Sequence, residues 1–121
     1  MIRFYKLDEE RSVMQISGEA LRGKIKSQAD VMGFFGDCYG QNCIGMIIDK
    51  EVFDDSFFDL KTGLAGEILQ KFATYRMKLA IVGDFSEVAS KSLRDFIRES
   101  NRQKFINFVE SVEKAIEIFG A

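Results

Sequence analysis

The residues best equipped for chemistry are five aspartates (Asp49, Asp54, Asp55, Asp59 and Asp84), two cysteines (Cys38 and Cys43) and two hydroxyls, Ser56 and Thr62, with Lys61 between them. Carboxylates that converge suit a divalent cation or acid–base work. A hydroxyl just ahead of a helix suits a phosphate, which there meets free backbone N–H groups and a favourable dipole, with Lys61 close by; Ser56 and Thr62 are therefore the candidate phosphorylation positions. The competing use of Asp59 or Thr62 is simply to cap the helix. The chain contains no histidine, which removes Ser–His and Cys–His dyads and the commonest general base. It also leaves Cys38 and Cys43, four positions of sequence between them, without an imidazole to complete a zinc site. Cys38 falls late in a predicted helix and Cys43 opens a predicted strand, so both read as buried structural thiols. On this reading no catalytic residue, metal or cofactor is assigned. What chemistry remains is a small enzyme using clustered carboxylates or a thiol, with Asp84 and Cys38 as its test positions.

The elements that must position these residues follow from hydrophobic period. FFDLKTGLAGEILQKFATYRMKLAIVGDF, residues 57–85, contains an amphipathic helix on which Leu64, Ile68, Leu69, Phe72 and Tyr75 recur at helical spacing while Glu67, Gln70, Lys71 and Thr74 face water. It leads into MKLAIV, residues 77–82, a nearly continuous apolar run expected of a strand covered on both faces near the sheet centre. Residues 2–7 and 12–17 read as a hairpin-like pair at a sheet edge, and Met46, Ile47 and Ile48 as a buried strand. Ser27 is placed to cap a helix that ends near Gly40; within it Gly33 and Gly36 beside aromatics suggest close packing on the sheet or the approach of a ligand. Ser90 or Ser92 starts a helix with Leu93, Phe96 and Ile97 inward and a capping-box spacing from Ser92 to Asp95. Asn101 suits the end of that helix, or with Glu99 and Arg102 a polar cluster serving a partner. Residues 105–109 return as a strand, and Ser111 caps a last helix carrying Val112, Ala115, Ile116 and Phe119. This alternation predicts an α/β fold with about five strands in a mixed, mostly parallel sheet. Ligands of open sheets approach the carboxyl ends of the strands, here the segments after Ile48, Val82 and Val109. Gly83 and Asp84 stand at one of those ends, where Asp84 can serve a ligand or stabilise a turn. Gly63, Ala65 and Gly66 permit close backbone approach, without the spacing of a nucleotide fingerprint.

Composition sets the frame: 121 residues, 46% hydrophobic and without proline, fit a single domain over 1–121 with no linker. Residues 1–60 carry seven Lys/Arg against eleven Asp/Glu, and residues 61–121 ten against eight. The basic excess at Arg94, Arg98, Arg102 and Lys104 is interleaved with Asp95 and Glu99 as helix-face pairs, which argues against nucleic acid as a partner. Apolar runs fall short of a membrane span and the start of the chain lacks the pattern of a secretory signal, so a cytoplasmic protein with no membrane association is expected.

FFDLKTGLAGEILQKFATYR, KLAIVGDF, SLRDFIRESNR and FVES together resemble an uncharacterised bacterial family, domain of unknown function 4180, over roughly residues 43–119. The order of elements is in turn similar to the SpoIIAA-like (STAS-type) fold, whose members include anti-anti-sigma factors and small intracellular binding modules. Relatives by that resemblance often carry a histidine soon after the strand matching Ile47 and Ile48, where this chain has Asp49 and Lys50. In anti-anti-sigma factors a strand is followed by an Asp-Ser pair whose serine is phosphorylated; Asp55 and Ser56 occupy the comparable place. The resemblance implies a STAS-like binding or regulatory module recognising a protein partner or small ligand, with Asp59, Lys61, Thr62, Gly63, Gly66, Gly83 and Asp84 as the recognition residues. Beside the enzyme, the other alternative is a self-associating structural protein that uses an exposed edge or helix in a symmetric homodimer.

Overall fold

In the computed structural model, which describes residues 1–120, a hairpin starts the chain: β1 (Ile2–Lys6) runs antiparallel to β2 (Ser12–Ile16). Asp8 closes the turn between them, its Oδ1 accepting from the Glu10 and Arg11 amides at 2.9 and 2.7 Å. Strand and helix then alternate through α1 (Gln28–Gly40), β3 (Cys43–Asp49), α2 (Leu64–Thr74), β4 (Lys78–Val82), α3 (Lys91–Gln103), β5 (Ile106–Val109) and α4 (Val112–Gly120). The strands lie in sequence order, β1-β2-β3-β4-β5, with every pair after the first parallel. The expected α/β class and mixed, mostly parallel five-stranded sheet are therefore present. Sequence order in space follows because each helical crossover joins neighbouring parallel strands.

The helices divide unequally between the two faces. Val31, Phe35 and Cys38 of α1, Ala65, Ile68 and Phe72 of α2, and Phe96 and Ile97 of α3 join the larger core with Met46, Ile48, Leu79, Ile81 and Phe108. On the opposite face α4 works alone, setting Ala115 and Phe119 against Val13, Ile47, Ala80 and Val109. Alternate residues of β4 thus enter different cores, which is why MKLAIV reads as continuously apolar. Gly45 lets α4 come this close: a Cβ there would lie 3.0 Å from Phe119 Cε2 and 3.1 Å from the Lys78 carbonyl oxygen.

Several local expectations are corrected. Gly33 and Gly36 face outward with nothing within 4 Å of an added Cβ, so neither marks close packing. Tyr75, assigned to the inner stripe of α2, follows the helix end and remains 41% exposed. The cap of α3 is Ser90, whose Oγ accepts from the Leu93 amide, while Asp95 pairs with Lys91 and Arg98 instead of with Ser92. Ser27 precedes α1 without capping it through its side chain; Asp30 Oδ2 accepts from the Lys26 amide and the Ser27 hydroxyl. The polar stretch 18–26 buries Ile25 completely in a bridge to Phe53. Between β3 and α2 the chain makes three short 3₁₀ turns, Lys50–Val52, Asp55–Phe58 and Leu60–Thr62, which the period of the sequence did not announce. Among the described residues no helix is long and apolar enough to cross a membrane.

Candidate functional site

A concavity of about 990 Å³ opens where β4 and β5 end and continues along the free edge of β5. Gly83 and Asp84 form its rim after β4; Asn101 and Lys104 border it from the end of α3; Lys114, Glu117 and Ile118 of α4 form the other wall; Asn107, Phe108 and Glu110 lie between. Its volume falls within the range of small-molecule sites.

β5 is the last strand of the sheet, so half of its backbone lacks a strand partner. The Phe105 and Val109 carbonyls accept from Leu79 and Gly83 of the β4 side, which turns the N–H and C=O groups of Ile106, Phe108 and Glu110 outward. At Phe108 the side chain of Asn101 fills the missing place. Its Oδ1 accepts from the Phe108 amide at 2.7 Å and its Nδ2 donates to the Phe108 carbonyl at 3.2 Å, the two bonds a neighbouring strand would make. The reading of Asn101 as a helix-ending residue is thus corrected: α3 continues to Gln103, and Lys104, at φ 63°, turns the chain in the left-handed region.

Asn107 is the second polar residue of this edge and is 2% exposed. Its Nδ2 donates to the carbonyls of Leu79 and Lys104, both at 3.3 Å. Among the described residues none donates to its Oδ1, and Asn107 lines the groove.

The rim after β4 is shaped by Gly83. A Cβ at that position would stand 2.9 Å from Lys50 Cβ, so glycine is what lets the Lys50 stem lie across the strand end. The Lys50 ammonium sits 5.5 Å from the Phe85 ring centroid and 5.9 Å from that of Phe58. Asp84 accepts from the Ser86 hydroxyl and amide, and these bonds, with the Lys50 charge, hold its carboxyl below the usual range. A smaller depression of about 310 Å³ lies by Arg22, Lys50, Glu51, Asp55 and Phe58. Asp49, at the end of β3, is half-buried; burial first and the Glu51 charge second push its carboxyl up.

The other recognition candidates lie elsewhere. Asp59, Lys61, Thr62, Gly63 and Gly66 form the entrance to α2, and none of them lines the large groove. Asp59 accepts from the Lys61 amide; Thr62 Oγ1 donates to the Ser56 and Asp59 carbonyls and accepts from the Leu64 amide. Gly63 is required by its φ of 78°, while Gly66 has open space around it. The Ser56 hydroxyl is half-buried and donates to Asp54. A chain of rings joins the two regions: Phe58 to Phe85 at 6.3 Å and Phe85 to Phe108 at 5.2 Å. The five aspartates do not gather: among the described residues no group of three or more acidic, Cys or His side chains is placed to hold a metal ion. Cys38 and Cys43 are free and buried, and burial pushes the Cys38 thiol far up, away from the thiolate a nucleophile requires.

Residues Asn107, Lys114, Glu117 and Ile118 were not singled out from sequence as site residues. An asparagine inside the otherwise apolar run FINFV is the signal in the sequence that could have found this edge. The family described as a domain of unknown function (DUF4180) matches residues 8–119. No curated protein and no solved structure matches the chain.

Proposed function

The chain belongs to the family described as a domain of unknown function (DUF4180), and we propose that it is a binding module whose recognition site is the groove along β5. The observation that carries this reading is the groove itself: about 990 Å³ at the carboxyl ends of β4 and β5, bordered by Gly83 and Asp84, with Asn107 on its wall offering an Oδ1 that accepts from no described residue. Ligands of open α/β sheets enter at those strand ends because loops there diverge and leave a crevice. The walls offer both signs of charge, Lys104 and Lys114 against Asp84, Glu110 and Glu117, over the apolar surface of Phe108, Val109 and Ile118. Such a lining suits an amphoteric occupant, a peptide or a small molecule bearing both charges. The order of elements supports a SpoIIAA-like (STAS-type) reading and, by analogy of fold, a regulatory task. Two buried free thiols agree with a cytoplasmic setting.

The test is heteronuclear NMR of the labelled protein titrated with the peptide and small-molecule fraction of a cell extract. Shifts concentrated on Gly83, Asp84, Asn107, Glu110 and Ile118 are expected. Shifts centred on residues 59–66, with the groove unmoved, would transfer recognition to the entrance of α2 and overturn the reading.

A further inference from the structure

Both edges of the sheet are open, and they fit each other. On β1 the Met1 and Leu7 backbone groups bond to Ser17 and Arg11, so the odd-numbered residues pair with β2, and Ile2, Phe4 and Lys6 turn their N–H and C=O groups outward. Ile2 and Phe4 are each 42% exposed, an unusual load of apolar surface for an edge strand. On β5 the outward groups belong to Ile106, Phe108 and Glu110.

Resting on the reading of the groove as the binding site, we propose that its occupant is β1 of a second copy of this chain, added antiparallel to β5 as a sixth strand, and that Asn101 is the latch that holds the place until then. The topology requires no reversal: β1 already runs antiparallel to every other strand, so a second sheet laid in line with the first presents β1 to β5 in the correct direction. Side-chain faces agree as well. Phe4 stands opposite Met14, and Phe108 opposite Ile81, both on the face of the larger core, so the two rings meet when Phe4 is set against Phe108.

That single register also brings one charge pair together at its end. It places Arg3 opposite Val109, beside Glu110 and on the side of Glu117 of α4. Tyr5, whose hydroxyl donates to Gln15 Oε1 at 2.8 Å, falls opposite Asn107. The Phe4 backbone takes the two bonds that Asn101 now makes to Phe108. Asn101 sits exposed on the last turn of α3 and can swing away without disturbing the core. The contact is head to tail, so unlike a symmetric dimer it can continue from copy to copy, and a latch that restrains it is what an open edge of this kind calls for.

The probe is a synthetic peptide of residues 1–10, MIRFYKLDEE, titrated into the labelled full-length chain. The Ile106, Phe108 and Glu110 amides are expected to shift and to gain protection from exchange. In Asn101→Ala the peptide is expected to bind about tenfold tighter, the scale of two net hydrogen bonds that no longer have to be broken. A peptide carrying Arg3→Glu, which sets like charges beside Glu110, should bind several-fold more weakly. In sedimentation Asn101→Ala should associate with concentration, and Asn101→Ala with Phe4→Lys should return to monomer. Asn101→Asp, which keeps the acceptor for the Phe108 amide, provides a folded intermediate case. Equal peptide affinity in wild type and Asn101→Ala overturns the latch. If the peptide leaves the β5 amides unmoved in both proteins while extract components still shift the groove, the second copy is rejected as occupant and the binding reading stands; if neither moves the groove, both fall.

Discussion

Gly45→Ala tests how α4 is seated, and through it how one wall of the groove is placed. The new methyl would stand 3.0 and 3.2 Å from Phe119 Cε2 and Cζ and 3.1 Å from the Lys78 carbonyl oxygen. Unstrained carbon contacts lie near 3.5–4.0 Å, so about half an ångström must be found. Neither neighbour gives way easily. Phe119 is 1% exposed among Val13, Ile47, Ala80 and Val109, and the carbonyl belongs to a central backbone. Overpacking of this kind costs about 1–3 kcal/mol, and restricting the unfolded chain returns about 0.4–1 kcal/mol. The expected net loss is about 1–2 kcal/mol, a fall in Tm of roughly 4–8 °C for a chain of this size. Thermal and urea unfolding followed by circular dichroism measure it. Phe119→Leu removes the ring atoms in the way, so the double variant should recover about 1 kcal/mol relative to the sum of the two single changes. An unchanged or raised Tm in Gly45→Ala, or strictly additive losses, would refute the account of close approach. Because Ile118 precedes Phe119, its amide resonance in the groove should move in the single variant and return in the double.

Other outcomes follow from the same geometry. Asp49 has a folded-state pKa raised by burial, so the native state holds its proton more tightly than the unfolded state and stability falls as pH rises from its ordinary value of 3.8 through the raised one. The Tm advantage of Asp49→Asn should therefore be near zero below that window and widen above it; melts from about pH 3 to 7 that show a constant gap would contradict the burial argument. Thr62→Ala removes three hydrogen bonds at the entrance to α2 and should cost about 1 kcal/mol by urea unfolding; a neutral result would free Thr62 for a purely regulatory role. Cys38 and Cys43 should resist a thiol reagent in the native protein and react together on unfolding, and fast native reaction of Cys38 would revive the thiol enzyme.

Period and capping residues in the sequence determine most of the fold. The two faces of MKLAIV, the helical stripe from Leu64 to Phe72 and the caps at Ser90 and Ser111 are local features, because burial on a strand or helix repeats every few residues and leaves its mark in residue type. The candidate site was legible only in part. Gly83 and Asp84 sit where strand-end reasoning places them, since an open parallel sheet exposes those ends whatever the side chains are. Their partners come from the end of α3, from β5 and from α4, and nothing local in Asn101, Lys104 or Ile118 says that they share a wall. The same carboxamide chemistry that ends a helix also completes a strand edge. Only the tertiary structure, by bringing Asn101 within 2.7 Å of the Phe108 amide, decided which of the two it does.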